Sequence, residues 1–222
     1  MGRYLIKQCV GLALLAGALF VSAGTLRWPM GWGYIGLCAA SMALTGILLA
    51  RHSPDLVQER AGVRAGTKGY DVPLALAMAY APMLMGVAAG LQVRFGTTVD
   101  MAWGWWAAVA ALALGSTAWT LWAMLSNPFF APVVRIQSER GHSVAADGPY
   151  RYVRHPGYLG AVLFALATPA LLGSSWAATL LALLLPAYVL RTALEDRVLR
   201  AELPGYAGYA RDVCYRLVPG VW

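Results

Sequence analysis

Charged and apolar positions along this chain fall into separate blocks. Residues 8–26, 28–50, 72–93 and 101–125 carry no charged side chain. Each run is close to the roughly 20 residues a helix needs to cross a bilayer's hydrocarbon. A fifth uncharged run, 155–190, has 36 residues. As one helix it would extend about 54 Å, far more than a bilayer. Gly173-Ser174-Ser175 near its middle reads as a turn. The run therefore predicts two helices, about 156–172 and 176–202, the second passing beyond the membrane into charged sequence.

The pattern predicts an all-α integral membrane protein with about six transmembrane helices, the last two forming a helical hairpin. Arg3 and Lys7, followed by an apolar run ending at Val21-Ser22-Ala23, imitate a secretory signal. The second run follows after almost no linker, however, which suits two spans turning at Arg27-Trp28-Pro29. Residues 1–125 read as a four-span scaffold and 126–222 as a catalytic region, together one folded unit.

Composition supports this division. Hydrophobic residues make up 59% of the 222 and charged ones only 12%, about half the charge of a soluble domain. With six crossings, 15 of the 17 lysines and arginines fall on one side, leaving Arg27 and Arg94 opposite. The positive-inside rule then makes both termini cytoplasmic, in a membrane of prokaryotic inner-membrane type. The net charge of +7 is this topology signal, helped by anionic lipid headgroups. It carries no nucleic-acid reading. Cys9, Cys38 and Cys214 form no CxxC pair, and His52, His142 and His155 lack HxxxH spacing, so neither a disulfide nor a metal is expected.

The first four spans read as scaffold, with Trp103, Trp105 and Trp106 as an interfacial belt on the outer side. The segment 51–71 reads as a solvated loop in preference to an amphipathic surface helix. Candidate chemistry concentrates after 126. Pro128 breaks the fourth helix, since it disfavours helix at Asn127. Pro156 sits where proline best starts a helix, which places His155 at that helix's N-terminus. The positive end of the dipole there favours neutral imidazole and welcomes an anion. Gly160 permits close approach of another helix or a ligand. Arg191 and Glu195 share a helix face, as do Asp196 and Arg200. The last two helices have their charged ends on the same side, which predicts Arg154–Tyr158 beside Arg191–Asp196 under a roof of Tyr206–Tyr209.

The stretches "GHSVAADGPYRYVRHPGYLG" and "RTALEDRVLRAELPGYAGYARDV" resemble the isoprenylcysteine carboxyl methyltransferase family and its phospholipid methyltransferase relatives. The resemblance covers about 135–222; the first four spans share only hydropathy. It implies S-adenosylmethionine as methyl donor, S-adenosylhomocysteine as product, and a cofactor pocket at the cytoplasmic ends of the last helices. It implies cofactor contacts at His142, Val144, Ala145, Tyr150, His155, Pro156, Gly157 and Tyr158, with Gln137 as a further one. Glu195 would hold the cofactor's ammonium group, and Asp196, the other half of the acidic pair, is a further cofactor-binding candidate. Arg191 matches an arginine placed toward the methyl acceptor. The sequence departs from the family in carrying Glu195-Asp196 where Glu-Glu is usual, the smaller Ala145, and Pro204-Gly205-Tyr206 in place of Phe-Gly-x-x-Tyr.

The expected partners are a lipophilic or lipid substrate and the surrounding lipids, with no obligate protein partner. A carboxylate acceptor needs no base, and Arg191 or Arg154 would orient it. A thiol or amine needs deprotonation, with His155 or a carboxylate as candidates. Two other classes compete: an NADPH-dependent membrane reductase of the sterol-reductase type, and a non-enzymatic membrane scaffold.

Overall fold

A computed structural model describes residues 2–59, 66–96 and 102–222. Among them the chain is helical, with no strand. The elements are α1 (Gly2–Ala23), α2 (Pro29–His52), α3 (Pro54–Glu59), α4 (Asp71–Phe95), α5 (Trp103–Leu125), α6 (Pro156–Leu171), α7 (Ser175–Glu202) and α8 (Tyr206–Asp212). Five of these, α1, α2, α4, α5 and α7, are long and apolar enough to cross a membrane. At 16 residues, α6 is about 24 Å long and falls short of that length.

The helix ends follow local chemistry. Pro29 opens α2 and Pro156 opens α6, each in the first turn, where a missing N–H costs nothing. After α5, Asn127 folds back to accept the Phe129 N–H (2.9 Å), a side-chain turn that replaces the helix. Between α6 and α7, Gly173 takes φ +61°. Ser174 caps α7 by accepting the Ala177 N–H at 3.0 Å and donates to Gln92 Oε1 at 2.7 Å. That turn pins α6 and α7 to the far end of α4.

The bundle packs chiefly as α5 on α6, α1 on α4 and α4 on α7. Gly160 serves helix contact: a Cβ there would meet Thr120 Oγ1 at 2.0 Å and the Ser116 carbonyl oxygen at 2.9 Å. Outside, large apolar residues such as Leu14, Ile47, Leu84, Leu112 and Leu183 stay exposed. That is how helices facing lipid look. Trp103 and Trp105 are exposed in the same way, whereas Trp106 turns inward and donates to the Leu171 carbonyl at 3.0 Å.

The segment 51–71 departs from the solvated loop expected of it. Residues 60–65 lie outside the described residues, but Pro54–Glu59 is a short helix. Pro54 begins it and Asp55 sits in its first turn, the side-chain types a helix N-terminus favours. Its Leu56 and Val57 are buried against Tyr4, Leu49, Leu121 and Met124. Its Glu59 is buried and paired with Arg135. Mixed charge concealed a helix that packs through Leu56 and Val57 and carries the Glu59–Arg135 ion pair.

Candidate active site

The site begins where α4 starts, α5 stops and α7 runs past the bundle. The chain from Asn127 to Arg154 crosses this end without regular structure apart from two short turns, Ser138–Arg140 and Gly148–Arg151. It encloses a cavity of about 350 Å³, within the range of small-molecule sites. Met78 of α4, Met124 of α5, Tyr158 of α6, Arg191 and Glu195 of α7, and Tyr206 and Tyr209 of α8 all face it.

Ten residues singled out in the sequence line this one space: His142, Val144, Ala145, Tyr150, Arg154, His155, Gly157, Tyr158, Arg191 and Glu195. Glycine at 157 has a steric reason, because a Cβ would meet the Phe130 ring at 2.6 Å. Tyr158 donates its hydroxyl to Glu195 Oε2. Among the described residues no basic side chain forms an ion pair with Glu195. The half-buried carboxylate therefore keeps hydrogen-bonding capacity toward the cavity, with Arg191 acting on it only through space.

Tyr150 accepts a hydrogen bond from the Asn127 amide (3.1 Å). Burial, assisted by the Glu195 charge, raises its pKa, so it stays a neutral phenol with its own proton to donate. His142 Nδ1 accepts the Gln137 backbone N–H (3.2 Å). Its ring lies on Phe129 at 4.6 Å between centroids. Burial, followed by the charges of Arg135 and Arg140, lowers its pKa, which keeps the imidazole neutral.

Three sequence candidates sit behind the walls. Gln137 is fully buried; its amide donates to the Phe129 carbonyl at 2.6 Å and accepts from Arg140 at 2.6 Å. It shapes the 127–142 segment. Pro156 starts α6 and does not line the cavity. Asp196 is 1% exposed and gathers Arg154 (2.8 Å), Arg200 (3.0 Å), Arg216 (3.1 Å) and the Tyr206 hydroxyl (3.1 Å). His155 Nε2 approaches the same carboxylate at 3.5 Å, so a fixed negative charge acts on it beside the helix end.

The structure also alters the reading of the two arginines. Arg154 lines the cavity, but it donates from Nε to Asp196 and from Nη1 to the Val213 and Cys214 carbonyls, both at 2.8 Å. Backbone bonds from Arg154 to Tyr215 and from His155 to Arg216 run alongside. These bonds fasten the C-terminal tail, and orienting an acceptor would require Arg154 to release it. Arg191 does not pair with Glu195. It reaches α4, donating to Asp71 Oδ1 (2.6 Å) and Oδ2 (3.0 Å) and to the Pro132 carbonyl (2.7 Å). Its guanidinium lies over the Tyr158 ring at 5.3 Å.

Residues 108–201 match the isoprenylcysteine carboxyl methyltransferase (ICMT) family.

The match begins within α5, earlier than the sequence resemblance, and ends at the close of α7, before α8. The protein-S-isoprenylcysteine O-methyltransferase of Schizosaccharomyces pombe is 39% identical to this chain over 56 residues. The aligned stretch is 25% of this chain and 24% of that enzyme, so the chain spans about a quarter of the relative's length. Every catalytic and cofactor candidate singled out in the sequence falls inside the ICMT match, while the expected roof, Tyr206–Tyr209, lies beyond it. Asp71, fully buried on Arg191, falls outside it. Its one sequence signal was an acidic residue standing immediately before an apolar run. Asn127, Phe129 and Tyr188 were likewise not anticipated as lining residues; ordinary types in a connector or an apolar helix give no signal.

Proposed function

We propose that this chain is an integral-membrane methyltransferase that moves a methyl group from S-adenosylmethionine to a lipophilic acceptor: an isoprenoid-cysteine carboxylate, a lipid amine or a thiol. The observation that carries the reading is one cavity shared by the motif residues, with the Glu195 carboxylate, which no described basic side chain bonds directly, in its wall. The ICMT match over 108–201 supports the reaction type. So does the printed activity of the fungal relative, an O-methyltransferase acting on S-isoprenylcysteine.

The residues fit such a donor. Glu195 would take its ammonium group, an ion pair worth more here than at the surface because the carboxylate is already partly desolvated. Tyr150 has a hydroxyl proton to give, and His142, Val144 and Ala145 offer an aromatic and apolar lining. The donor supplies an electrophilic methyl on a sulfonium centre. The protein contributes mainly positioning and the exclusion of water. The chain is read as crossing the membrane six times, with α6 and α7 as a hairpin, both termini and the cavity on the cytoplasmic side, in a prokaryotic-type inner membrane.

Calorimetric titration of the purified protein with S-adenosylmethionine, S-adenosylhomocysteine and NADPH tests the reading. Binding of the first two is expected. Binding of NADPH alone would move the protein to the reductase class, and no binding at all would leave a scaffold.

A further inference from the structure

The buried carboxylate outside the family match has a specific geometry. Asp71 is the first residue of α4 and is fully buried. Its Oδ2 accepts the Val134 backbone N–H (2.7 Å) as well as Arg191 Nη2. Arg191 Nη2 in turn reaches the Pro132 carbonyl. One carboxylate and one guanidinium thus lock α4, α7 and the 132–134 stretch of the cavity wall together. An arginine has five N–H donors in a rigid fork. Three of them are fixed by Asp71 and Pro132, so the plane cannot turn. Nη1 is left against Met78 Sδ at 3.7 Å, a weak acceptor, and both residues line the cavity.

Building on the proposed methyl transfer, we infer that Asp71 is the positioning residue for Arg191, holding it so that Nη1 meets an anionic acceptor group inside the cavity. An amine would have to be held as a free base beside a fixed guanidinium, whereas a carboxylate gains a charge-assisted hydrogen bond there. Asp71 never touches the acceptor. It also places a negative charge near the acceptor site, and this sets the kinetic signature. Removing Asp71 frees Arg191 to swing, which costs turnover. It also removes a repulsion, which spares acceptor affinity.

The test is Asp71→Asn, assayed with N-acetyl-S-isoprenylcysteine as acceptor, with S-adenosylmethionine affinity measured separately by calorimetry. Loss of positioning by about an ångström costs about 100-fold. The expected result is a fall of that order in kcat, an acceptor KM within about threefold of wild type, and unchanged cofactor affinity. Asp71→Glu should recover part of kcat. Wild-type kcat in Asp71→Asn, or equal losses of kcat and cofactor affinity, overturns the inference. If the wild type neither binds the donor nor turns over, the methyltransferase reading fails by itself. Phenylglyoxal labelling of Arg191, mapped by peptide mass, then still reads the clamp. Labelling is expected to be slow in wild type and several-fold faster in Asp71→Asn, and equal rates sink it. Should Asp71→Asn not fold, Asp71→Glu decides: its longer arm is expected to displace Arg191, lowering kcat with cofactor affinity unchanged and labelling faster, and wild-type kcat together with wild-type labelling overturns the inference.

Discussion

Asp71–Arg191 and Asp196–Arg154 are the same chemical pair, and all four residues are buried, yet they are built differently. Asp196 collects three guanidiniums, a tyrosine and a histidine, and Arg154 carries the tail carbonyls with it. Asp71 has one cation and one backbone N–H. The first pair is a hub on which a whole segment hangs. The second is a hinge pin between a scaffold helix and α7, and it leaves part of its arginine facing the cavity. Burial and charge alone do not separate the two roles; what remains unspent on each arginine does.

The largest effect should come from breaking the hub. Asp196→Ala strands three arginines, with Arg154 buried, and stranding a buried charge costs about 3–5 kcal/mol. Chemical denaturation in detergent should register a loss of that order, with early proteolysis of the tail after α8. Asp71→Asn, which keeps a hydrogen-bonding side chain, should cost clearly less. Equal losses would erase the distinction between hub and pin.

Glu195→Gln separates binding from folding. Among the described residues its one direct side-chain hydrogen bond is from Tyr158, which the amide oxygen of glutamine can also accept, so the fold should change little. A hydrogen bond to a charged group contributes about 1.5–3 kcal/mol, so S-adenosylmethionine affinity should fall roughly 10- to 150-fold. Calorimetry reads the loss and a thermal melt reads the unchanged stability. Identical affinity in the variant would remove Glu195 from the cofactor's ammonium.

Much of this arrangement was legible beforehand. The apolar blocks, the turn at Gly173 and the proline at 156 all act within a few residues, so the sequence alone exposes them. The meeting of 142–158 with 191–195 followed from two helices sharing one end. The assignments of individual side chains were less legible. Arg191 and Glu195 share a face four residues apart, which suggested partners, but Asp71 lies 120 positions upstream and no local rule links it to α7. Arg154 looked available because its five acceptors, a carboxylate and tail carbonyls, come from 196–214. Glu59 hid in a charged loop because its cation, Arg135, belongs to another segment. Long-range ion pairing is the physics that spacing does not carry.

A pH titration tests a third wall of the cavity. Burial first, then Arg135 and Arg140, lowers the His142 pKa from the ordinary 6.5. The unfolded chain therefore takes up this proton before the folded one as pH falls. His142 stabilises the fold fully above about 6.5, and that contribution is lost as pH drops toward the lower folded value. Thermal melts should lose stability over that window, and His142→Asn, which still accepts the Gln137 N–H, should flatten the slope. An unchanged slope would place the pH dependence elsewhere.

The smallest effect is expected where the same charges meet in water. Lys68 holds Glu202 at 2.7 and 2.8 Å, its shortest contact falling between the 2.6 Å of Asp71–Arg191 and the 2.8 Å of Asp196–Arg154. Both side chains are substantially exposed, at 31% and 43%. Exposed pairs contribute under about 1 kcal/mol, because water screens the attraction and two long side chains lose freedom. Lys68 also donates its backbone N–H to the Val134 carbonyl (3.0 Å), a bond that survives any side-chain change. Lys68→Ala should therefore shift the melt by no more than a degree or two and leave cofactor affinity intact. A loss approaching that of Asp196→Ala would mean that distance, not burial, ranks these pairs, and the hub and pin would need another explanation.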